Sequence, residues 1–364
     1  MATSPNYAWA EPDNSSLVKN GAADIRTLGD AIDTAVWNVG FGQAGKNKII
    51  NGDFGINQRA FTSTTTDQTY GFDRWQLALS GATGTYSAQT FTTGAAPVAG
   101  YESKNFARLA VTVGNDLARL QQKIEDVRTL AGQTATISFW AKGTNPTTAG
   151  NLTVRFDQNF GTGGTPSTLV STAQQTFVLT ANWTRYSLTF SIPSISGKTI
   201  GTNNDSNLLL LIGQGSSIST DAWTLDLWGV QVEYGSKMTP FQLAGGGQPQ
   251  AELAMCQRYY VRFIGNGAND ILSGLGWARQ TTDAHILFPF PVEMRTAPSS
   301  IEISAIELTD LVAEISAGTV TMSGTSTSFS GQINCATSGL TQYRPYVIRN
   351  DNNAAGYVAF TAEL

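Results

Sequence analysis

Tryptophan and charged side chains occupy the outward positions of several predicted strands, where they could bind a sugar. Trp140 lies on the outward side of the predicted strand TATISFWAK, with Thr136 and Ser138. Arg155 and Asp157 share the outward side of NLTVRFD. Trp183 lies beside Arg185 on the outward phase of a later strand. Sugar recognition needs aromatic rings that stack on C–H groups, with amides and carboxylates to bind hydroxyls. We expect one polar and aromatic wall if these strands are neighbours; alternatively, the tryptophans only cover the sheet.

A second candidate binding segment is GNGANDILSGLGWARQTTDAH, residues 265–285, which is interrupted by glycines. It carries Asn269, Asp270, Trp277 and Arg279. We interpret it as a loop, and binding residues concentrate on such loops. The alternative is an ordered connection in which Trp277 fills the sandwich.

Catalytic constellations are absent from the sequence. His285 is the only histidine, and it begins a predicted strand without a motif-linked serine or cysteine nucleophile. No G-x-S-x-G, H-E-x-x-H or phosphate-binding loop occurs. One histidine with Cys256 and Cys335 excludes a histidine- or cysteine-rich zinc site and a disulfide scaffold. The sequence predicts no enzyme, although two carboxylates could still meet as a glycosidase pair.

The amino-acid composition argues against two further classes of partner, nucleic acids and membranes. The 364 residues are 41% hydrophobic and only 13% charged, with a net charge of −5. Such a chain offers no basic field for a phosphate backbone, which argues against nucleic acid. It contains no apolar run long enough to span a bilayer, and MATSPNYAWAEPDNSS lacks the features of a secretory signal.

The N-terminal part, residues 1–45, is predicted to form an arm followed by one helix. Apolar residues recur there with the a/d rhythm of a short coiled coil, at Val18, Ile25, Leu28, Ile32 and Ala35 or Val36. A helix of about three heptads is marginal alone, so it needs partner chains or a body to pack on. The alternative is an amphipathic helix folded against its own domain.

After the glycine-rich linker GFGQAGKNK, hydrophobic and polar residues alternate with a period of two. Short strands separated by Gly, Asn and Ser turns predict a mainly β chain with a jelly-roll β-sandwich over residues 46–245. A second β-sandwich is predicted over residues 251–364, after a hinge at QLAGGGQPQ. The stretch NDLARLQQKIEDVRTLAG is compatible with either a helix or a strand. No fixed repeat supports a β-helix.

Several segments together resemble the virion appendage proteins of tailed bacteriophages, namely tail fibres, minor tail proteins and head fibres. The segments that carry this resemblance are KIINGDFGINQRA, YGFDRWQLALSG, WGVQVEYG, AELAMCQRYYVR, FPFPVEMRTAPSS and the N-terminal YAWAEPDNSSLVKNGAADIRTLGDAIDT. The resemblance implies a homotrimer attached to the particle by its N-terminal arm. It also implies a middle jelly roll similar to carbohydrate-binding modules.

The resemblance to carbohydrate-binding modules also implies a structural Ca²⁺. In those modules an acidic residue of the last strand meets the first strand at the ion, which would here assign Asn51, Asp53 and Asp226 as oxygen ligands. Asp226 lies in an apolar strand, where an unpaired charge is costly. The alternatives are an ion pair of Asp226 with Arg74 or Arg59, or a carboxylate at the end of a strand in contact with water.

These observations predict a structural virion protein, exposed on the particle and assembled in the host cytoplasm. We expect a tail fibre or minor tail protein that contacts host-surface glycans through its β-domains, with the C-terminal domain distal. One alternative is a capsid-attached head fibre or decoration protein, and another is a glycan-degrading depolymerase. Its partners would be copies of itself, other virion proteins and host glycan.

Overall fold

A computed structural model describes residues 2–3, 9–11, 17, 20–40, 45–113, 117–146, 152–215 and 221–364. Antiparallel sheets arranged as β-sandwiches dominate, which confirms the mainly β fold class. The N-terminal elements are β1 (Ala2–Thr3), β2 (Ala10–Glu11) and α1 (Gly21–Gly40). Among the described residues, no helix is both long and apolar enough to cross a membrane.

Helix α1 carries the predicted apolar stripe and leaves it uncovered. Ile25 is 65% exposed and Ile32 is 41% exposed, while Leu28 is half-buried. The negative charge of Asp24 in the first turn interacts favourably with the positive N-terminal end of the helix dipole. Val18 and the side chain of Val36 lie outside the described residues. Most of the apolar stripe of α1 is thus not covered by the described part of the chain.

The first sandwich consists of two sheets with one core between them. Its strands are β3 (Ser63–Thr64), β4 (Gln76–Ser80), β5 (Thr83–Thr90), β6 (Asn105–Val113), β7 (Leu117–Glu125), β8 (Thr134–Thr144), β9 (Leu152–Asn159), β10 (Val170–Ser171), β11 (Gln175–Phe177), β12 (Thr184–Ser191), β13 (Asn207–Gln214) and β14 (Trp223–Tyr234). One sheet has the order β12-β8-β14-β6-β5-β3, and the other has the order β10-β9-β13-β7-β4 with β11 also on β9. Ile137 and Phe139 of β8 face Val154 and Phe156 of β9 across a fully buried core.

A β-bulge in β14 changes which side chains of that strand face the core. The register against β8 shifts between Trp228 and Gln231, where Gly229 has φ +63°. Leu227 therefore faces the core before the bulge and Val232 after it, while Trp228 faces outward with Trp140. Strict alternation across this strand would have placed Val232 on the outer face.

The second sandwich begins with a helix and continues as two sheets. Its elements are α2 (Pro249–Gln257), β15 (Tyr260–Ile264), β16 (Ile271–Gln280), β17 (Asp283–Pro289), β18 (Ser300–Ser304), β19 (Ile306–Thr309), β20 (Glu314–Ser316), β21 (Thr319–Met322), β22 (Ser330–Ala336), β23 (Pro345–Asn350) and β24 (Tyr357–Thr361). A three-stranded sheet, β15-β24-β18, packs on a seven-stranded sheet, β20-β19-β23-β16-β17-β22-β21. The separate core of this sandwich contains Phe288, Ile348 and Phe360.

Polar contacts, both buried and partly exposed, join the two sandwiches. The guanidinium of Arg74 lies 3.4 Å from the ring centre of Tyr259 and forms an ion pair with Glu363. Arg258 donates two hydrogen bonds to Glu125, at 2.8 and 3.0 Å. The Tyr259 hydroxyl donates a third to the same carboxylate, at 2.6 Å. The segment predicted as a hinge thus leads into an interface that couples the two units.

Candidate functional site

Polar side chains line the outward face of the sheet β10-β9-β13-β7-β4. We call this surface the polar face and define it by Gln76, Arg119, Gln121, Arg155 and Asp157. Cross-strand register aligns Arg155 with Leu211, Leu211 with Gln121, and Gln121 with Gln76. Apart from Arg155, these residues are at most 6% exposed although they point away from the core. Buried polar groups on an outer face are typical of a recessed binding surface.

Side-chain amides on the polar face are fixed by hydrogen bonds. Gln121 Nε2 donates to Gln76 Oε1 at 2.6 Å and to Gln68 Oε1 at 3.3 Å. Gln76 Nε2 donates to the Gln68 carbonyl at 2.8 Å. Arg119 Nε donates to the Gln214 carbonyl at 3.0 Å. These bonds hold the side-chain groups in defined directions.

Arg155 and Asp157 leave hydrogen-bonding capacity unused. Arg155 donates to one oxygen of Asp157, with an Nη2–Oδ2 distance of 2.7 Å. The other oxygen, Oδ1, and the Arg155 Nε atom are buried, and neither has a hydrogen-bond partner in the described part of the chain. An unpaired buried donor or acceptor costs about 1–3 kcal/mol. Both atoms therefore lack the hydrogen-bond partner that buried polar groups normally have, and a hydroxyl group has the matching donor and acceptor.

The predicted single wall is not formed, because its members lie on two different sheets. Trp140 on β8 and Arg185 on β12 pair in the sheet β12-β8-β14-β6-β5-β3, whereas Arg155 and Asp157 belong to β9 of the opposite sheet. Strands β8 and β9 are consecutive in sequence, but the chain crosses between the sheets after β8. A period of two separates inward from outward side chains but does not say which sheet a strand joins.

Trp140 and Trp183 are half-buried in an aromatic cluster on their own sheet. The Arg185 guanidinium lies 4.5 Å from the Trp140 ring centre, and Trp140 lies 5.3 Å from Trp228, centre to centre. Trp183 packs 5.5 Å from Phe91. This geometry corresponds to the alternative in which both tryptophans cover the sheet.

Asp226 is held by Arg108, not by Arg74 or Arg59. Arg108 Nε and Nη2 donate to its two oxygens at 2.6 and 2.8 Å, because Asp226 and Arg108 are register partners on β14 and β6. Lys142 Nζ lies 3.9 Å away on the other neighbouring strand. This hydrogen-bonded pair raises the pKa of the Arg108 guanidinium. The ion-pair alternative is therefore observed, with a different partner.

Asn51 and Asp53 do not join Asp226 in one set of ligands. The segment containing them meets β14 at Val230, whose N–H donates to the Gly52 carbonyl at 2.9 Å. Val230 is four residues beyond Asp226, or roughly 13 Å along an extended strand. The Asn51 side chain already bonds the backbone of Ile56. The described residues contain no group of three histidine, cysteine, aspartate or glutamate side chains placed for a metal. Calcium binding stays a prediction from the resemblance, and this trio does not fit it.

Glu252 is the carboxylate that does reach this segment, and sequence analysis did not identify it. Its oxygens accept hydrogen bonds from the N–H groups of Asn51 and Gly245. Asp53 accepts from Gly55 N–H and the Tyr101 hydroxyl, both at 3.0 Å. Burial raises the pKa of Asp53 and of Glu252. These bonds show Glu252 tying α2 to the first sandwich.

The segment 265–285 is mostly a strand and not a loop, since β16 covers Ile271–Gln280. Asp270 accepts from the Gly267 N–H at 2.7 Å, and Asn269 accepts from the Asn352 N–H at 3.2 Å, so both shape a turn. Arg279 pairs with Asp283 at 2.9 Å. Trp277 does not fill the sandwich, because its side chain is 51% exposed on the outer face.

His285 and the two thiols have structural surroundings. His285 lies between Asp283 and Gln332, with Nε2–Oδ2 and Nδ1–Nε2 distances of 3.1 and 2.8 Å. Cys256 and Cys335 are free and buried. Burial raises the pKa of the Cys335 thiol to about 12 and that of Cys256 well above its usual range. Thiols of this kind are poor nucleophiles.

No protein-family model and no curated protein sequence matches this chain. Among solved structures, a family 4 carbohydrate-binding module is similar at 18% identity and a TM-score of 0.27, over 41% of this chain and 94% of that one. The N-terminal cellulose-binding domain of Cellulomonas fimi β-1,4-glucanase C is similar at 19% identity and a TM-score of 0.28, over 42% and 90%. The enzymatically active domain of bacteriophage CBA120 tailspike protein 4 is similar at 14% identity and a TM-score of 0.31, over 52% and 22%. With TM-scores this low, function must be argued from the residues of this chain.

Proposed function

We propose that the first sandwich is a non-enzymatic glycan-binding module and that the polar face is its binding surface. The observation that carries this proposal is the unused Asp157 Oδ1 and Arg155 Nε pair on a buried outward surface. Sugar hydroxyls both donate and accept, so they match a fixed array of amides, a guanidinium and a carboxylate.

Replacing Asp157 tests this proposal. Asp157→Asn keeps the shape of the side chain but removes its charge, and we expect glycan affinity to fall by about tenfold, since hydrogen bonds to charged groups contribute roughly 1.5–3 kcal/mol. The matched control is Asp226→Asn, an arginine-paired, buried carboxylate on the opposite sheet. A glycan array followed by calorimetry measures both variants. Equal affinity of wild type and Asp157→Asn would refute the assignment of the polar face.

The setting of the proposed module is a homotrimeric appendage of a phage particle, of the tail fibre or minor tail type. Support comes from the uncovered apolar stripe of α1 and from the sequence segments that resemble such proteins. Several weak sites on one oligomer bind a multivalent surface strongly through effective concentration. Immunogold labelling of particles tests the setting: label on capsid faces would favour the head-fibre alternative, and no label would contradict both.

A further inference from the structure

A cleft lies where the two sandwiches meet, and we call it the inter-sandwich cleft. It has a volume of about 450 Å³. Ligand pockets usually measure about 300–1,000 Å³ and often form at domain interfaces, so the size and the place of this cleft suit a ligand. Its main lining side chains are Arg59, Phe61 and Tyr70 from the first sandwich, and Ser299, Glu302 and Glu363 from the second.

The guanidinium of Arg59 lies over two aromatic rings of the cleft but has few hydrogen-bond acceptors. It is 3.7 Å from the ring centre of Tyr260 and 5.3 Å from that of Tyr70. Its Nη2 donates to Glu363 Oε1 at 3.4 Å, which is longer than a usual N–H···O hydrogen bond. Its Nη1 is buried, lies 4.0 Å from Asp73 Oδ1 and has no hydrogen-bond partner among the described residues. Because these contacts are long, an acceptor that enters the cleft can replace them as the guanidinium turns.

Glu302 supplies a hydrogen-bond acceptor on the wall that the second sandwich provides. Its Oε2 accepts from the Tyr260 hydroxyl at 2.9 Å, which leaves the exposed carboxylate tethered at one oxygen. The other oxygen, Oε1, makes no hydrogen bond in the described part of the chain. The cleft therefore presents a donor from one sandwich and an acceptor from the other, and neither is satisfied by the protein.

These groups favour an uncharged ligand that carries hydroxyl groups. Glu302 and Glu363 disfavour an anion, and the Arg59 guanidinium disfavours a cation, because like charges in close contact are costly. A sugar hydroxyl group both donates and accepts, so it matches the free Glu302 oxygen and the Arg59 donor. The half-buried rings of Phe61 and Tyr70 supply the apolar contact that the C–H groups of a sugar need. The Tyr70 ring is fixed by its hydroxyl, which donates to the Leu364 carbonyl.

From these features we propose that the inter-sandwich cleft is a second binding site, and that its ligand is a neutral saccharide. None of the residues that define the polar face lines this cleft, so the two sites are independent. The cleft is complete only when both sandwiches are in place. A bound sugar should therefore also hold the sandwiches together, since a ligand that binds only the native state stabilises that state.

A substitution that fills the cleft tests this proposal on the full-length chain. Ser299→Trp places an indole ring in the cleft, whereas Ser196→Trp places the same ring at an exposed position that does not line it. Both are made in the wild type and in Asp157→Asn, which removes binding by the polar face. An array of neutral and uronic-acid-containing oligosaccharides is probed with each chain. In the Asp157→Asn background, we expect Ser299→Trp to reduce affinity for neutral oligosaccharides by at least about tenfold and Ser196→Trp to leave it unchanged.

Glu302→Gln provides a readout that a merely misfolded cleft would not give. The amide keeps an oxygen for the Tyr260 hydroxyl but removes the negative charge from the cleft wall. The ratio of affinities for acidic over neutral oligosaccharides should therefore rise by about threefold, as expected for one exposed charge pair. An unchanged ratio would contradict the selection of a neutral ligand by Glu302.

The possible outcomes separate the cleft from the polar face. The proposal is overturned if Ser299→Trp binds like its parent chain in both backgrounds, or if the wild type binds no neutral oligosaccharide. An equal loss in Ser196→Trp would also overturn it, because the loss would not come from the cleft. If Asp157→Asn binds like the wild type and only Ser299→Trp loses affinity, the cleft is supported and the polar face is refuted.

Discussion

The carboxylate of Asp226 illustrates how this chain accommodates charge in an apolar strand. Its two oxygens receive Nε and Nη2 of Arg108 from the adjacent strand, and a second cation, Lys142, lies on the other side. Desolvation penalises a buried carboxylate, and a bidentate guanidinium is the partner that best offsets it. The pair therefore anchors β14 to β6.

Asp226→Asn should lower the free energy of unfolding by roughly 1.5–3 kcal/mol, because it removes a charged hydrogen-bonded pair. Denaturant titration in chelator and in calcium should give the same loss, since Arg108 satisfies the carboxylate. Asp126→Asn, which breaks an exposed pair with Arg128, serves as the control and should cost less than about 1 kcal/mol. A loss that appears only with calcium would restore the metal as the partner of Asp226.

Individual site residues could be predicted from sequence only in part. The outward phase of Arg155 and Asp157 followed from alternation, and the structure shows that phase. Arg119 and Gln121 were not identified, because the sequence of β7 is compatible with either a helix or a strand, and Gln76 of β4 was not identified either. Once β7 is a strand, its alternation places Arg119 and Gln121 on one face. Glu252 could not be foreseen, since its contact with Asn51 spans 201 residues.

Among the elements, β14 depends most on a single residue, Gly229. A Cβ atom there would lie 2.7 Å from the Trp140 ring, and the backbone has φ +63°. The bulge that it permits keeps Leu227 and Val232 in the core on either side of Trp228. Outward placement of Trp228 in turn provides the ring on which Trp140 packs.

Gly229→Ala should destabilise the protein by about 1–3 kcal/mol, since it combines left-handed backbone strain with a clash inside the aromatic cluster. Gly197→Ala is the matched control, because Gly197 has φ +73° but open space around its Cβ position. The difference between their unfolding free energies isolates the contact with Trp140. Equal losses of unfolding free energy in the two variants would mean that the Trp140 ring moves aside at no energetic cost.

The positions of the two helices agree only in part with the sequence predictions. Helix α1 ends at Gly40, and glycine is the residue type most favoured at helix ends. Residues 251–257 were expected to open a β-region and instead belong to α2, whose Pro249 is favoured at the first helical position. Which strands share a sheet could not be predicted, because that choice depends on contacts far apart in the chain.

Taken as a whole, the molecule behaves as two cores joined by ion pairs, not as two beads on a flexible linker. Glu363 reaches from the second sandwich to the fully buried Arg74 of the first. Burial alone would lower the pKa of Arg74, but Glu363 together with Tyr259, Tyr70 and Cys256 outweighs that effect, and the pKa lies above its ordinary value. The two units should therefore unfold together.

Glu363→Gln should uncouple the sandwiches, because it leaves a buried guanidinium without its counter-charge, at a cost of about 3–5 kcal/mol. Calorimetry of the wild type should show one transition, and the variant should show two. Glu293→Gln, which changes a carboxylate bonded to Ser328 near the surface, should keep one transition. Two transitions in the wild type would contradict the coupling.

The seven-stranded sheet terminates in two very short strands, β20 with 3 residues and β21 with 4. Glu314 places a charged side chain on the edge strand β20. Edge strands this short offer few free N–H and C=O groups to a strand of another chain, so the addition of strands into fibrils is disfavoured. Edge-to-edge growth of this sheet is thereby disfavoured even at high protein concentration.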